Sequence, residues 1–312
     1  MNFLETLRRR ALIAFLAALS FIAVSCGDDN DGDGNGSGSG QSSTERNDNA
    51  NTVTTERAVT RLEFPALKKE GRQKIIVHRL SNTSYDKDAI NFCTEWDCDL
   101  KSQRWSCYQL HHGFTGSYSR VADFTFDPDL SPSDYYSEYL FFPGFQRGHI
   151  CPSYDRTFSQ EANTQTFYMS NMQPQYGTFN ASSGSNVGLW LRMERILQKW
   201  AKSLSATDTI FVCKGGTIDK SENIIKRIDG KLIVPKYFFM AILRKTKFGY
   251  AAMGFWSEQT NEWRTNETLL SHAMSIDELE QLTGLDFFCN LPDKTEQEVE
   301  ARFTPSVWAE LR

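Results

Sequence analysis

The chain has 312 residues, of which 40% are apolar and 23% charged, a globular composition that excludes a disordered or collagen-like chain. Mean hydropathy is negative and the one long apolar run stands at the extreme N-terminus, which excludes a multispanning membrane protein. The net charge of −5 is unevenly spread: residues 1–26 carry +2, residues 27–60 carry −5, and the 252 residues that follow carry only −2. No bulk basic field is present, so any grip on a polyanion has to be local.

The N-terminus reads as an address. Residues 1–10 are basic, and the 15 apolar residues 11–25 suit a signal-peptide core better than a membrane span. Ala23-Val24-Ser25-Cys26 resembles a bacterial lipobox, which implies lipidation of Cys26 and a membrane anchor. Residues 27–50 are mostly Asp, Asn, Gly and Ser and cannot bury enough surface to offset chain entropy. Their acidic start resembles export signals of Bacteroidetes lipoproteins, which lead to the outer face of the outer membrane. The expected organisation is a signal peptide at 1–25, a flexible acidic linker at 26–59 and one folded domain at 60–312. Six further cysteines, at 93, 98, 107, 151, 213 and 289, permit up to three disulfides of open pairing in an exported chain.

In chain order, Ile75-Ile76-Val77 is a short apolar strand candidate. Runs at 90–96 and 104–111 flank a polar turn at 99–103 and predict a hairpin. Residues 127–133 hold Pro128 and Pro132 and read as loop. From 190 to 203 the apolar residues recur at helical spacing, with Gly188 at the start. Residues 209–213 form a buried-strand pattern closed by Gly215-Gly216, and 231–234, 237–243 and 250–255 are further strands. Ser275 to Glu278 has capping-box spacing, and 305–311 predicts a last short helix. Many strands and few helices give an α+β class, a central antiparallel sheet flanked by helices.

The stretch from 144 to 194 carries the chemistry. Gln146-Arg147-Gly148-His149 places arginine and histidine two apart, so an extended chain turns both toward one side. Guanidinium can hold phosphate oxygens, and imidazole can take a proton from water near neutral pH. Ser170-Asn171-Met172-Gln173-Pro174-Gln175 follows, then Asn186-Val187-Gly188-Leu189-Trp190 leading to Glu194 on the helix. An amide oxygen suits Mg²⁺, and a carboxylate on the next helix can hold one of its waters.

These motifs together resemble the DNA/RNA non-specific endonucleases of the ββα-metal fold, including the Serratia-type secreted nucleases. Their pattern is D-R-G-H, then S-N-x-x-P-Q, then N-x-G-x-W-x-x-x-E. Residues 105–110 and 234–239 are also similar, so the resemblance covers roughly residues 60 to 290. It implies a Mg²⁺-dependent nuclease, with Mn²⁺ as a substitute, that cleaves DNA and RNA and leaves 5′-phosphate ends. It assigns His149 as general base, Asn186 as the direct protein ligand of the metal, and Glu194 as the residue that orients a metal-bound water. Arg147 is expected to contact the phosphate and Asn171 to fix the active-site loop.

Two departures stand out. Gln146 replaces the family aspartate, which removes a negative charge beside the metal. Ten residues separate Gln175 from Asn186, more than in Serratia-type members, and Ser182-Ser183-Gly184-Ser185 lies among them. Asn180, at a family-like distance from Asn171, is the alternative ligand. The departures keep a second reading open, a catalytically weak surface lipoprotein that binds nucleic acid. Outside the motif, His78, His111, His112 and the tryptophans at 96, 105, 190, 200 and 256 read as packing or solvated residues, and His272 as surface. Arg156 could add a phosphate contact or form a local salt bridge, Arg192 and Arg195 could face substrate or lie on a solvated face, and Arg244, Lys245 and Lys247 read first as a hairpin turn and second as a DNA contact.

Overall fold

The structure is a computed structural model and describes residues 45–53, 55–120 and 123–312. The expected signal peptide, Cys26 and most of the expected linker lie outside the described residues. In chain order the elements are β1 (Gln73–Arg79), β2 (Ile90–Asp97), β3 (Ser102–His111), β4 (Gln146–His149), α1 (Gln160–Gln165), β5 (Met172–Gln175), α2 (Gly177–Asn180), β6 (Ser182–Ser183), β7 (Asn186–Val187) and α3 (Leu189–Lys202). They continue with β8 (Thr209–Gly216), β9 (Ile224–Ile228), β10 (Leu232–Pro235), β11 (Tyr237–Thr246), β12 (Gly249–Glu258), β13 (Ala273–Met274), α4 (Ile276–Thr283) and α5 (Asp293–Glu300).

The main sheet runs β1-β2-β3-β8-β11-β12-β13 and is antiparallel throughout. Alternation along its central strands explains its two covered faces. On β11, Phe238, Met240 and Ile242 point into one core with Trp190, Met193 and Leu197 of α3. Phe239, Ala241 and Leu243 point into the other, with Ile276 and Leu279 of α4, Phe287 and Leu291. The expected α+β class therefore holds, and α3 and α4 lie on opposite faces of the sheet. The hairpin of β2 and β3 forms as expected, in register Cys93↔Cys107. Gly188 caps α3, and Ser275 closes a full capping box on α4 with Glu278. Lys247 and Phe248 make the turn between β11 and β12.

Several expectations change. The last short helix is only a 3-10 turn at Pro305–Val307, and Trp308 beyond it packs on Trp200 at 4.9 Å between ring centroids. The linker expected to reach 59 is docked well before its end. Asn51 donates to the carbonyls of Val59 and Pro65, Asn47 to that of Leu291, and Asp293 N–H donates to Arg46. Short polar side chains at 47–51 satisfy the backbone at the base of α5, and nearer the end of the expected linker Ala58 and Val59 enter the core. Cys93, Cys98, Cys107, Cys151, Cys213 and Cys289 are buried free thiols, not disulfides. They lie within packed strands and loops as small apolar residues. Among the described residues, no helix is long and apolar enough to cross a membrane.

Candidate active site

β4 and β5 form a two-stranded antiparallel sheet with Gln146 opposite Gln175, Arg147 opposite Pro174 and His149 opposite Met172. Gly148 is required by contact: a Cβ there would lie 2.1 Å from Gln175 Oε1. His149 is half-buried, edge-on to Phe167 with ring centroids 4.9 Å apart. Its Nε2 is buried and has no hydrogen-bond partner, and its carbonyl accepts from Trp190 Nε1 at 3.4 Å. Burial first, and then the positive charges of Arg120, Lys214 and Arg147, push the imidazole down to about 3. The ring is therefore neutral over the physiological range.

Arg147 stacks on Phe124, with its guanidinium carbon 3.6 Å from the ring centroid, and donates to Leu140 O at 2.8 Å. Asn171 is fully buried and clamps the chain that follows the histidine. Its Oδ1 accepts from Cys151 N–H at 2.8 Å, and its Nδ2 donates to the carbonyls of Cys151 and Thr166 at 2.9 and 2.8 Å. Glu194 is buried on α3, and its Oε1 accepts from Lys214 Nζ at 2.8 Å. Burial raises this carboxyl, with Lys214 opposing the rise.

The two candidate asparagines part company here. Asn180, the last residue of α2, donates from Nδ2 to Gln146 Oε1 at 3.0 Å. Asn186 sits on β7, paired with Ser183 in a small hairpin, and Gly188 N–H donates to Ala181 O at 2.8 Å where that hairpin closes. Residues 182–187 are thus an excursion whose ends meet, and Asn180 stands at its root beside β4. Gly188 fits there because a Cβ would lie 2.2 Å from Phe179 O.

A family model for DNA/RNA non-specific endonucleases matches residues 73–294. The chain belongs to that family. Its relatives include a nuclease of Nostoc sp., 27% identical over 218 residues that span 64% of this chain and 71% of the relative. Nuclease C1 of Cunninghamella echinulata is 30% identical, covering 54% and 67% of the two chains. A mitochondrial nuclease of Saccharomyces cerevisiae is 33% identical, covering 48% and 47%. Among solved structures, the EndoG/EndoGI complex aligns over 78% of this chain and 96% of that one, with a TM-score of 0.55 at 19% identity. The fold is accordingly the ββα-metal fold of EndoG, here β4, β5 and α3.

This endonuclease holds residues near the site that the motifs do not mark. Lys214 lies on β8 with no exposed surface, its Nζ 4.5 Å from the centre of the Trp190 ring. A lysine two residues after Val212 in an apolar strand is the available signal, since it must face the same core. Arg156 does not reach for phosphate: it is buried, stacked 4.6 Å from the Tyr108 ring and bonded to the carbonyls of Asp155 and Gln109. His272 is not surface either, being buried between Ser257 at 3.0 Å and Glu267 at 2.7 Å. Arg192 is tied to the carbonyls of Arg264 and Glu267. His78, Asp127 and Asp129 bring possible metal-ligand atoms within 4.8 Å of one another. There His78 Nε2 is 2.9 Å from Asp127 Oδ2, which also accepts from Ser170 Oγ, the neighbour of Asn171.

Proposed function

We propose that the chain is an exported, lipid-anchored, Mg²⁺-dependent endonuclease that hydrolyses phosphodiester bonds of DNA and RNA, and that Asn180 rather than Asn186 is its protein ligand for the metal. The observation that carries this reading is the strand β4: it brings together Arg147 and the half-buried, neutral ring of His149, while Gln146 on the same strand holds the Asn180 amide. The donor chemistry suits a hard cation. Gln146 occupies Asn180 Nδ2, which leaves the amide oxygen as the free donor, and Mg²⁺ takes few protein oxygens and keeps most of its waters. Mn²⁺ accepts the same donors. When bound, the ion stabilises negative charge on the phosphate oxygens and on the departing 3′ oxygen.

The chain's own groups do the rest. His149, whose half-buried ring is held neutral, takes the proton of the attacking water. Asn171 fixes the peptide behind the imidazole, so the ring stays aimed. Arg147, backed by Phe124, meets the phosphate. Glu194, held through one oxygen by Lys214, offers the other to a water at the edge of α3. Cleavage of the P–O3′ bond, with the departing 3′ oxygen taking a proton from solvent, leaves 5′-phosphate and 3′-hydroxyl ends. Contacts to phosphate rather than to bases make sugar and sequence matter little. Export and anchoring rest on the apolar run at 11–25 and on Cys26.

Nicking of supercoiled plasmid and digestion of RNA by the purified chain test the reading, with Mg²⁺, Mn²⁺ or EDTA. Metal-dependent cleavage is expected, lost in His149→Ala and lowered at least a hundredfold in Asn180→Ala, with Asn186→Ala within about threefold of wild type. The Lys214 hold on Glu194 favours the weaker-catalyst reading, and a folded wild type that binds DNA but cuts under neither metal would establish it. The reverse order of the two asparagine variants would return the ligand to Asn186.

A further inference from the structure

On the sheet face opposite α3, the helices α4 and α5 bring acidic side chains together. Asp277 and Glu280 lie three residues apart on one side of α4, and Glu300 ends α5. One carboxylate oxygen from each of the three lies within 4.8 Å of the other two. A single Ca²⁺ with oxygens at 2.3–2.6 Å reaches donors so spaced.

Neighbouring acids already have donors. Asn49 Nδ2 donates to Glu296 at 2.9 Å and to Asp286 at 3.3 Å, and Phe287 N–H donates to Glu280 at 2.7 Å. Glu300 is different. It is 6% exposed, and its Oε1 is a buried acceptor with no partner. Burial first, and then the acidic groups Glu280, Glu296, Asp286 and Asp277, push it up to about 10. A buried carboxyl that meets only other carboxyls is costly unless something positive sits among them.

We propose that Asp277, Glu280 and Glu300 bind a hard divalent cation of the Ca²⁺ class, at a site separate from the catalytic metal. Glu300 supplies the buried wall and Asp277 is the most exposed of the three, so water completes the shell on that side. Side chains from two separate helices adapt to the loose geometry of Ca²⁺ more readily than to the strict octahedron of Mg²⁺. The ion would tie α4 to α5, the helix whose first residue, Asp293, also meets Arg46 and Asp48 of the docked N-terminal segment.

Thermal unfolding of the full chain, stripped of metal and then given Ca²⁺, Mg²⁺ or neither, tests this beside Glu300→Gln and Asn180→Ala. At Ca²⁺ a hundredfold above Kd, a Tm rise of roughly 5 °C is expected in wild type and in Asn180→Ala. Glu300→Gln should show no rise, while its metal-free Tm matches that of wild type because burial already holds the metal-free carboxyl protonated and the amide is close to it in shape. Calorimetric titration with Ca²⁺ should lose one site in the same variant. A Ca²⁺ response that survives Glu300→Gln overturns the proposal. So does one abolished by Asn180→Ala, which would assign the ion to the catalytic site, and so does the absence of Ca²⁺ binding in wild type. If Glu300→Gln does not fold, Asp277→Asn takes its place at the exposed corner: a tenfold weaker Ca²⁺ affinity is expected, and an unchanged one refutes the site.

Discussion

Lys214→Met isolates what a buried ammonium does near His149. Methionine keeps the length and most of the volume of the lysine but removes the charge that meets Glu194 Oε1 at 2.8 Å. Glu194 is then a buried carboxylate without a cation, with the negative Asp155 among its neighbours. Breaking a buried pair by removing one partner costs about 3–5 kcal/mol. At about 2–4 °C per kcal/mol for a domain of this size, Tm should fall by about 6–20 °C. The loss should depend on pH. Without Lys214 the folded-state pKa of Glu194 rises further above its unfolded value, so stability is lost as pH climbs above the ordinary carboxyl range, and the variant is weaker at pH 8 than at pH 5. Circular dichroism melts at both pH values measure this, for wild type, Lys214→Met, Glu194→Leu and the double variant. The double variant, with the pair replaced by apolar groups, should recover to within about 1 kcal/mol of wild type. A single variant that loses less than about 1 kcal/mol, or a double variant as unstable as the two singles summed, would show that the pair is not a coupled buried unit.

Held down to about 3, His149 stays unprotonated across neutral and mildly acid pH, so kcat/KM should be flat from pH 8 to about 5, and an inflection near 6.5 would refute its burial. An unfolded histidine gains its proton near pH 6.5 while the folded one does not, so stability falls as pH drops through that window; urea unfolding should show a loss of about 2–3 kcal/mol from pH 7 to 4.5 that His149→Gln lacks. Gln146→Asp returns a charge beside Asn180 and should lower the half-saturating Mg²⁺ about tenfold, measured by plasmid nicking; no change would remove Gln146 from the metal's surroundings. Gly148→Ala drives a Cβ to 2.1 Å from Gln175 Oε1, so the paired strands β4 and β5 must shift; a loss of about 1–3 kcal/mol in chemical denaturation is expected together with a fall in kcat. The buried free cysteines at 93, 98, 107, 151, 213 and 289 should resist a thiol reagent in the native chain and react once it is unfolded, whereas a reagent-silent unfolded chain would mean disulfides.

What could be read from the sequence was whatever is settled over a few residues. The main strands alternate, α3 repeats its apolar face, Ser275 begins a capping box, and Arg147 to His149 lie on one short strand with Asn171 behind them. Counting back from Gly188 and Trp190 leads to Asn186, but residues 182–187 leave the path and return to it, so the count alone does not choose between Asn186 and Asn180. A local spacing rule assumes that chain distance tracks distance in space. The bond from Gly188 N–H to Ala181 O makes that assumption false at this one place and puts Asn180 next to the helix cap. The misses elsewhere have the same origin. Arg156 and His272 are polar residues whose partners stand up to 47 residues away, at Gln109 for the arginine and Ser257 for the histidine, so nothing nearby marks them as buried. Glu300 lies on a helix so rich in charge that no periodicity reveals its inner face, and its environment exists only where α4 packs against α5. Lys214 is the instructive intermediate. Its position in an apolar strand was visible, and a buried lysine requires an acidic partner. The partner, Glu194, is marked by the motif, but their pairing depends on how α3 lies across β8, which strand alternation alone does not fix.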